Sequence, residues 1–215
     1  PSINSAWDRI YRPLREALPT SCLHPGSALA RITRNDTRVR AEFSDGTVRE
    51  ADLLVGADGL HSTTRRVSLP EAQPRYAGYV AWRGVLEESA MPPSVHADLF
   101  HHMSFTVQGH ELFLCMPMPG TSSEMREDTR EGRRRFHFIW FRPVGYDTAL
   151  RDLCTDANGV CHGAAIPPPL IRAEVITALR EAAGVSLPPQ MAALVQRAPQ
   201  PLLQAIYDLD SPRVA

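Results

Sequence analysis

Along Arg38-Val39-Arg40-Ala41-Glu42-Phe43 apolar and charged residues alternate, the period of a half-exposed β-strand. Asp45-Gly46 follows as a tight-turn signal,. With "SALARIT" before it and "TVREADLLVGAD" after it, the segment predicts a β meander. The last of these strands ends in Leu53-Leu54-Val55, an apolar run expected to be buried on both faces inside a layered α/β domain,. Ahead of the meander, Trp7, Ile10, Leu14 and Leu18 recur at helical spacing. They predict a helix capped by Ser5, stopped by Pro19 and buried along one face. Pro13 falls inside that pattern, as a kink or a later helix start.

Beyond Pro70 the texture changes, and Tyr76 to Val144 predicts an antiparallel sheet of four or five strands,. "YAGYVAWRGVLEES" reads as one long strand, and "HADLFHHMSFTVQGHELFLCMPMPG" as two or three, with a turn near Gly109. "RFHFIWFRPV" is another, apolar on both faces. "GTSSEMREDTREGRRR" is polar and charged, a surface loop. "PPPLIRAEVITALREAAG" predicts a helix with Leu170, Val175 and Leu179 stacked and Gly184 just past its end, and "PPQMAALVQRAP" predicts a shorter second one,. "PLLQAIYDLDSPRVA" reads as a returning strand. Strand alternation puts Tyr79 and Arg83 on one face and Trp82 on the other. It puts Phe136, Phe138 and Trp140 together, opposite His137 and Ile139. It does not decide which face packs on helices and which meets a ligand. Arg83 and His137 stand out, because a charged or titratable group inside an apolar strand needs a partner.

Charge adds exclusions. A net charge of −1 argues against nucleic acid held by bulk electrostatics,. Arg133-Arg134-Arg135 reads as a solvated lead-in to a strand. No apolar run reaches the roughly 18–20 residues a bilayer demands, and the start lacks the layout of a secretion signal. The first residue is not Met, so the chain is expected to be part of a longer protein. Four cysteines without CxxC pairing suit a reducing, cytoplasmic setting,. In "CTDANGVCH" the spacing of Cys154, Cys161 and His162 fits no common zinc pattern. His101-His102 reads as a strand edge, so no metal is expected.

"DLLVGADGLHSTTRR" carries the candidate chemistry. Strand ends in α/β domains are where ligands sit. Gly59 would let a backbone approach a ligand, and Asp58 could accept from a sugar hydroxyl or hold the turn. Ser62 would start a short helix whose amides attract phosphate. Arg65, one turn on, could add charge near a pyrophosphate. A plain Asp-Gly turn followed by a Ser-capped helix explains the same residues, and both readings stay open.

That segment resembles the Asp-Gly motif of the class A flavoprotein monooxygenases, the 4-hydroxybenzoate hydroxylase-like family. "YAGYVAWRGVL", "IPPPLIR", "ALREAA" and "IYDLDSPRVA" are similar to its dihydroxypyridine-hydroxylating branch. The resemblance implies an α/β fold of α+β character: part of an FAD-binding domain over 1–69, a substrate domain over 70–203 with a mainly antiparallel sheet flanked by helices, and a strand returning over 204–215. It implies FAD as cofactor, NADH or NADPH as co-substrate, and insertion of one oxygen atom from O2 into a small aromatic or N-heterocyclic ring. Asp58, Gly59, Ser62 and Arg65 map onto the cofactor motif; Tyr79, Arg83 and His137 are the substrate-binding candidates, and no catalytic residue is assigned. The family's GxGxxG fingerprint and Gly-Asp motif are not in these residues, which implies an internal fragment with weak FAD affinity by itself. Trp7 stands where many relatives carry an arginine that touches flavin. Met116 and Met118 fall where relatives hold a substrate carboxylate, and thioethers cannot neutralise one; a hydroxylated N-heterocycle or phenol is expected instead. A homodimer is compatible with this reading. A non-catalytic binding domain of the same fold, or an epoxidase or halogenase of the superfamily, are the alternatives.

Overall fold

The computed structural model describes residues 7–121 and 127–211. The Ser5 cap and the end of the returning strand, as drawn from sequence, lie outside them. The chain forms two compact units: Arg12–Arg75 with the last residues of the final strand, and Tyr76–Ile206 with the first turn of the first helix.

Helix α1 (Trp7–Glu16) runs through Pro13 without a break, and the bond from Ala17 N to Pro13 O continues the ladder at 3.0 Å. Its apolar residues are not buried as the spacing suggested: Trp7, Ile10 and Leu14 are exposed. The 3.6-residue period records a face suited to a partner surface; it does not supply that surface.

The meander forms as expected. Strands β1 (Leu29–Arg34), β2 (Val39–Phe43) and β3 (Val48–Ala51) make an antiparallel three-stranded sheet in that order. Asp45 holds the β2–β3 turn, accepting from Thr47 N at 2.9 Å, and Gly46 takes φ +82°. The run after β3 departs from expectation. Residues 53–55 are irregular rather than a strand, and Leu53 and Val55 are each 76% exposed. An apolar run becomes a doubly buried strand only where layers cover both faces, and none of the described residues covers these. The short helix α2 (Thr63–Ser68) follows in the same unit.

The second unit is built on a six-stranded sheet. Its long strand β4 (Arg75–Glu87) is followed by helix α3 (Pro93–Leu99), then β5 (Ser104–Gln108) and β6 (Glu111–Met118). The "HADLF" stretch is thus helical, not a strand. Pro93 opens the helix, where its fixed φ suits the first turn, and Val95 and Leu99, one turn apart, are buried. His101 and His102 lie in the turn after it, not on a strand edge. The charged loop contains a two-residue pairing of β7 (Gly120–Thr121) with β8 (Glu127–Asp128). Strand β9 (Arg135–Pro143), helix α4 (Thr148–Leu153) and the short β10 (Ala165–Ile166) follow. Helix α5 (Ala173–Ser186) contains Gly184 rather than ending before it, and α6 (Pro189–Arg197) leads into β11 (Leu202–Asp208).

The sheet order is β10-β11-β4-β9-β6-β5, with antiparallel pairing of β10 to β11, β4 to β9, β9 to β6 and β6 to β5. One face is the core. Trp82, Phe113, Cys115, Phe136, Phe138 and Trp140 are at most 3% exposed. Phe113 stacks on Phe138 at 5.5 Å, and Phe100, just past α3, meets Phe136 at 5.5 Å. Gly84 leaves room for the Phe138 ring and for Ala198 after α6; a Cβ there would stand 2.3 Å from Phe138 Cε1. The Trp140 indole N–H donates to Glu111 at 2.9 Å, and the Arg142 guanidinium lies 4.4 Å over the Trp140 ring. Each large side chain on this face contributes about 1.5–3 kcal/mol of burial. Among the described residues no helix is long and apolar enough to cross a membrane.

Candidate functional site

The Asp58 corner is built by local hydrogen bonding. Asp58 accepts from Ser62 Oγ, from Thr63 N at 2.7 Å and from Thr64 N at 3.1 Å. Ser62, the N-cap of α2, accepts from Arg65 N at 2.9 Å. The first amides of α2 are therefore taken by side chains, the usual solution for a helix start. Burial pushes the Asp58 carboxyl up, but the bonds from Ser62 and the Thr64 and Thr63 amides outweigh it and bring the pKa to about 2,. Arg65 folds back to donate to Gly59 O at 3.2 Å and to Leu60 O. Asp58, Ser62 and Arg65 thus clamp one loop, the plainer of the two readings the residues allowed.

The corner is nevertheless open. A crevice of about 490 Å³ lies between residues 27–29 with Phe43 on one side and residues 54–58, His61, Thr63 and Thr64 on the other. Gly56 must lack a side chain, since a Cβ would stand 2.5 Å from Thr64 Cβ. Gly59 has φ +73° and open space where a Cβ would project,. His61 and the Ser27–Leu29 wall were not singled out from sequence; His61 lies in the same loop, and the wall is brought to the crevice by the β1–β2 fold.

The second candidate region is the other face of the large sheet. Register places Tyr79, Arg83 and Val85 of β4 beside Pro143, Ile139 and His137 of β9, and Leu114 and Met116 of β6 beside Ile139 and His137. Tyr79, Arg83 and His137 therefore share one face, and it is the face away from the aromatic core. Arg83 and His137 are diagonal neighbours, about 7 Å apart along the backbone. Tyr79 stands four residues from Arg83, roughly 13 Å along the strand. It packs edge-on against Phe141, ring centroids 5.8 Å apart. There it lines a cavity of about 420 Å³ with Gly78, His110, Leu112, Phe141 and Pro143. The structure brings Arg83 and His137 together and sets Tyr79 at a separate end; Phe141 and His110 were missed because neither motif nor spacing marks a cavity rim.

Burial drives the His137 imidazole down, and the neighbouring Arg83 and Arg135 charges add to it, so its pKa falls to about 4,. His137 is neutral at physiological pH. Arg83 is half-buried, and its Nε is enclosed without a hydrogen-bond partner among the described residues.

The family model described as FAD binding domain-like matches residues 76–208, the whole of this sheet with its helices. The chain belongs to that family. Within it the chain is 34% identical over 162 residues to 2,6-dihydroxypyridine 3-monooxygenase of Paenarthrobacter nicotinovorans, covering 73% of this chain and 37% of the relative. It is 40% identical over 119 residues to 6-hydroxynicotinate 3-monooxygenase of Bordetella bronchiseptica, covering 51% and 31%. In structure it is similar to 2,6-dihydroxypyridine-3-hydroxylase from Arthrobacter nicotinovorans, with TM-score 0.86 and 26% identity, over 97% of this chain and 51% of that one. The chain thus spans about a third to a half of the length of these relatives. The fold class expected from sequence, mixed helix and strand with antiparallel sheets, is the one found.

Proposed function

We propose that this chain contributes the ring-binding sheet and part of the cofactor site of an FAD-dependent monooxygenase that hydroxylates an aromatic or N-heteroaromatic ring with NADH or NADPH and O2. The observation that carries the reading is the similarity to 2,6-dihydroxypyridine 3-monooxygenase across 73% of the chain. On this reading residues 1–69 and 204–215 belong with the cofactor, and 70–203 with the ring.

The residues present fit FAD. The crevice beside Gly56–Asp58 is open, and at Gly59 no Cβ blocks an approaching phosphate. Gly59 would lie against the cofactor, while Asp58, Ser62 and Arg65 hold the loop that presents it. When bound, FAD supplies the redox chemistry, taking a hydride from NAD(P)H and activating O2. The protein's own share is to bind and orient the ring and to keep water away. On the open sheet face Ile139, Leu114 and Met116 offer apolar contact, and Arg83 and His137 offer the polar contacts that fix orientation. Four free cysteines, two of them buried, support a reducing cytoplasmic setting,.

The full-length protein, with the segments beyond these residues restored, is expected to purify with FAD absorbance and to oxidise NAD(P)H faster when 2,6-dihydroxypyridine is added. A flavin-free full-length protein, or no stimulation of it by any hydroxylated ring, overturns the reading. Arg65→Ala is expected to weaken flavin retention about tenfold through loss of two carbonyl bonds, with the melting temperature little changed.

A further inference from the structure

Four arginines enclose an Nε that lacks a hydrogen-bond partner among the described residues: Arg65, Arg83, Arg172 and Arg180. Three of them anchor their terminal nitrogens elsewhere. Arg65 donates to the Gly59 and Leu60 carbonyls, Arg172 to Asp152 at 2.9 Å, and Arg180 to the Ala198 carbonyl at 3.2 Å. Arg83 is different. Among the described residues no hydrogen bond and no carboxylate reaches its guanidinium, and the interaction it does have, with His137, is between like charges once the imidazole is protonated.

The surroundings leave that charge uncompensated. Directly across on β9 is Ile139, and two residues away along β4 are Ala81 and Val85. The charged or titratable groups on the elements beside His137 are Arg83 and Glu87 on β4 and Arg135 on its own strand; the β6 residues there are Met116 and Met118. Arg135 is engaged with the Pro119 carbonyl at 3.1 Å. A half-buried cation among apolar side chains calls for an anion, and the ion pair gains strength where water is scarce.

We infer that the open sheet face binds its aromatic ring as an anion, a negatively charged oxygen on the ring pairing with Arg83 while the His137 imidazole hydrogen-bonds beside it. This rests on the reading of that face as the ring site. The oxygen belongs either to an ionised ring hydroxyl or to a carboxylate; both are flat acceptors that a guanidinium fork can meet. Arg83 is then the residue that selects the charge state of the ligand, and an anion beside His137 raises the proton affinity of the imidazole.

The test uses the 215-residue chain with three probes at pH 8: 2,6-dihydroxypyridine, benzoate and 2,6-dimethoxypyridine, which has the ring but no ionisable oxygen. Calorimetry is expected to show at least one of the two ionisable rings binding about tenfold tighter than the dimethoxy ring, or more. The tighter of the two identifies the oxygen. Arg83→Met removes the preference, and Arg83→Lys restores part of it. The NMR titration of the His137 ring moves upward from its free midpoint near pH 4 when the anion is bound. Equal binding of all three probes overturns the inference and leaves the ring site standing. If none of the three binds, the ring-site reading falls and takes the inference with it.

Discussion

Strand β9 serves two faces with opposite fates. Phe136, Phe138 and Trp140 point to the helices and are 0% exposed. His137, Ile139 and Phe141, interleaved with them, are half-buried on the other side. Each face handles charge differently. At the end of β4, Glu88 lies 4% exposed and accepts from Arg134 Nε at 2.9 Å, from Gly132 N at 2.8 Å and from His96 at 2.9 Å. Its bond with Arg134 and the others hold its pKa down at about 2. Arg83, five residues earlier on the open face, has no such partners among the described residues. A group that only supports the fold is satisfied within it; a group left unsatisfied on an apolar face is better explained by a ligand.

Truncating each face should separate these roles. The largest effect is expected from Trp140→Ala, a loss of about 3–5 kcal/mol in urea unfolding from the cavity it leaves. Phe141→Ala, one residue along, should cost only about 1 kcal/mol, because that ring is already partly in water; equal losses would erase the distinction between the faces. Glu88→Gln should cost about 3 kcal/mol, since it leaves Arg134 without its counter-charge. Because the folded pKa of Glu88 is lowered, its contribution is full above about pH 4.5 and fades as pH falls towards 2, so the variant should lose less than the parent on acidification over that range,. Gly84→Ala should cost about 1–3 kcal/mol by forcing a Cβ onto Phe138,.

On the open face the pH signature runs through His137. Its folded pKa is lowered from 6.5 to about 4. Above pH 6.5 both folded and unfolded states hold it neutral. Between 6.5 and 4 the unfolded state takes up a proton that the folded state refuses, so stability declines by up to about 3 kcal/mol. His137→Leu should flatten that decline; an unchanged slope would show that other groups carry it. The smallest effect is expected from Arg83→Met, at or below about 0.5 kcal/mol, because removing that cation from apolar surroundings deletes no hydrogen bond or ion pair found among the described residues,.

Much of this arrangement was legible from residue order. Alternation along "YVAWRGV" and "RFHFIWFR" placed Arg83 and His137 opposite the aromatic set, and Asp45-Gly46 announced its hairpin. The choice of covered face was not legible, because both faces of β9 are apolar and only the placement of α3 and α6 decides between them. The "HADLF" stretch misled because its short apolar run suits strand or helix; the Pro92-Pro93 pair before it, with Val95 and Leu99 one turn apart, was the overlooked helix signal,. Leu53 and Val55 misled in another way: apolar character states what a residue would prefer to pack against, and the packing itself lies in other parts of the fold. At the corner, Asp58, Ser62 and Arg65 do come together in one loop, but spacing could not tell a loop clamp from a phosphate cradle.

The central claim is that the open face, and not the covered one, is where the ring binds. Methyl-labelled Ile, Leu, Met and Val resonances followed by NMR during titration with 2,6-dihydroxypyridine test it most directly. Shifts confined to Ile139, Leu114, Met116 and Val85, with Val80, Leu194 and Val195 unmoved, are the predicted result. Shifts centred on Val80 and Leu194, with Ile139 and Met116 silent, would contradict it.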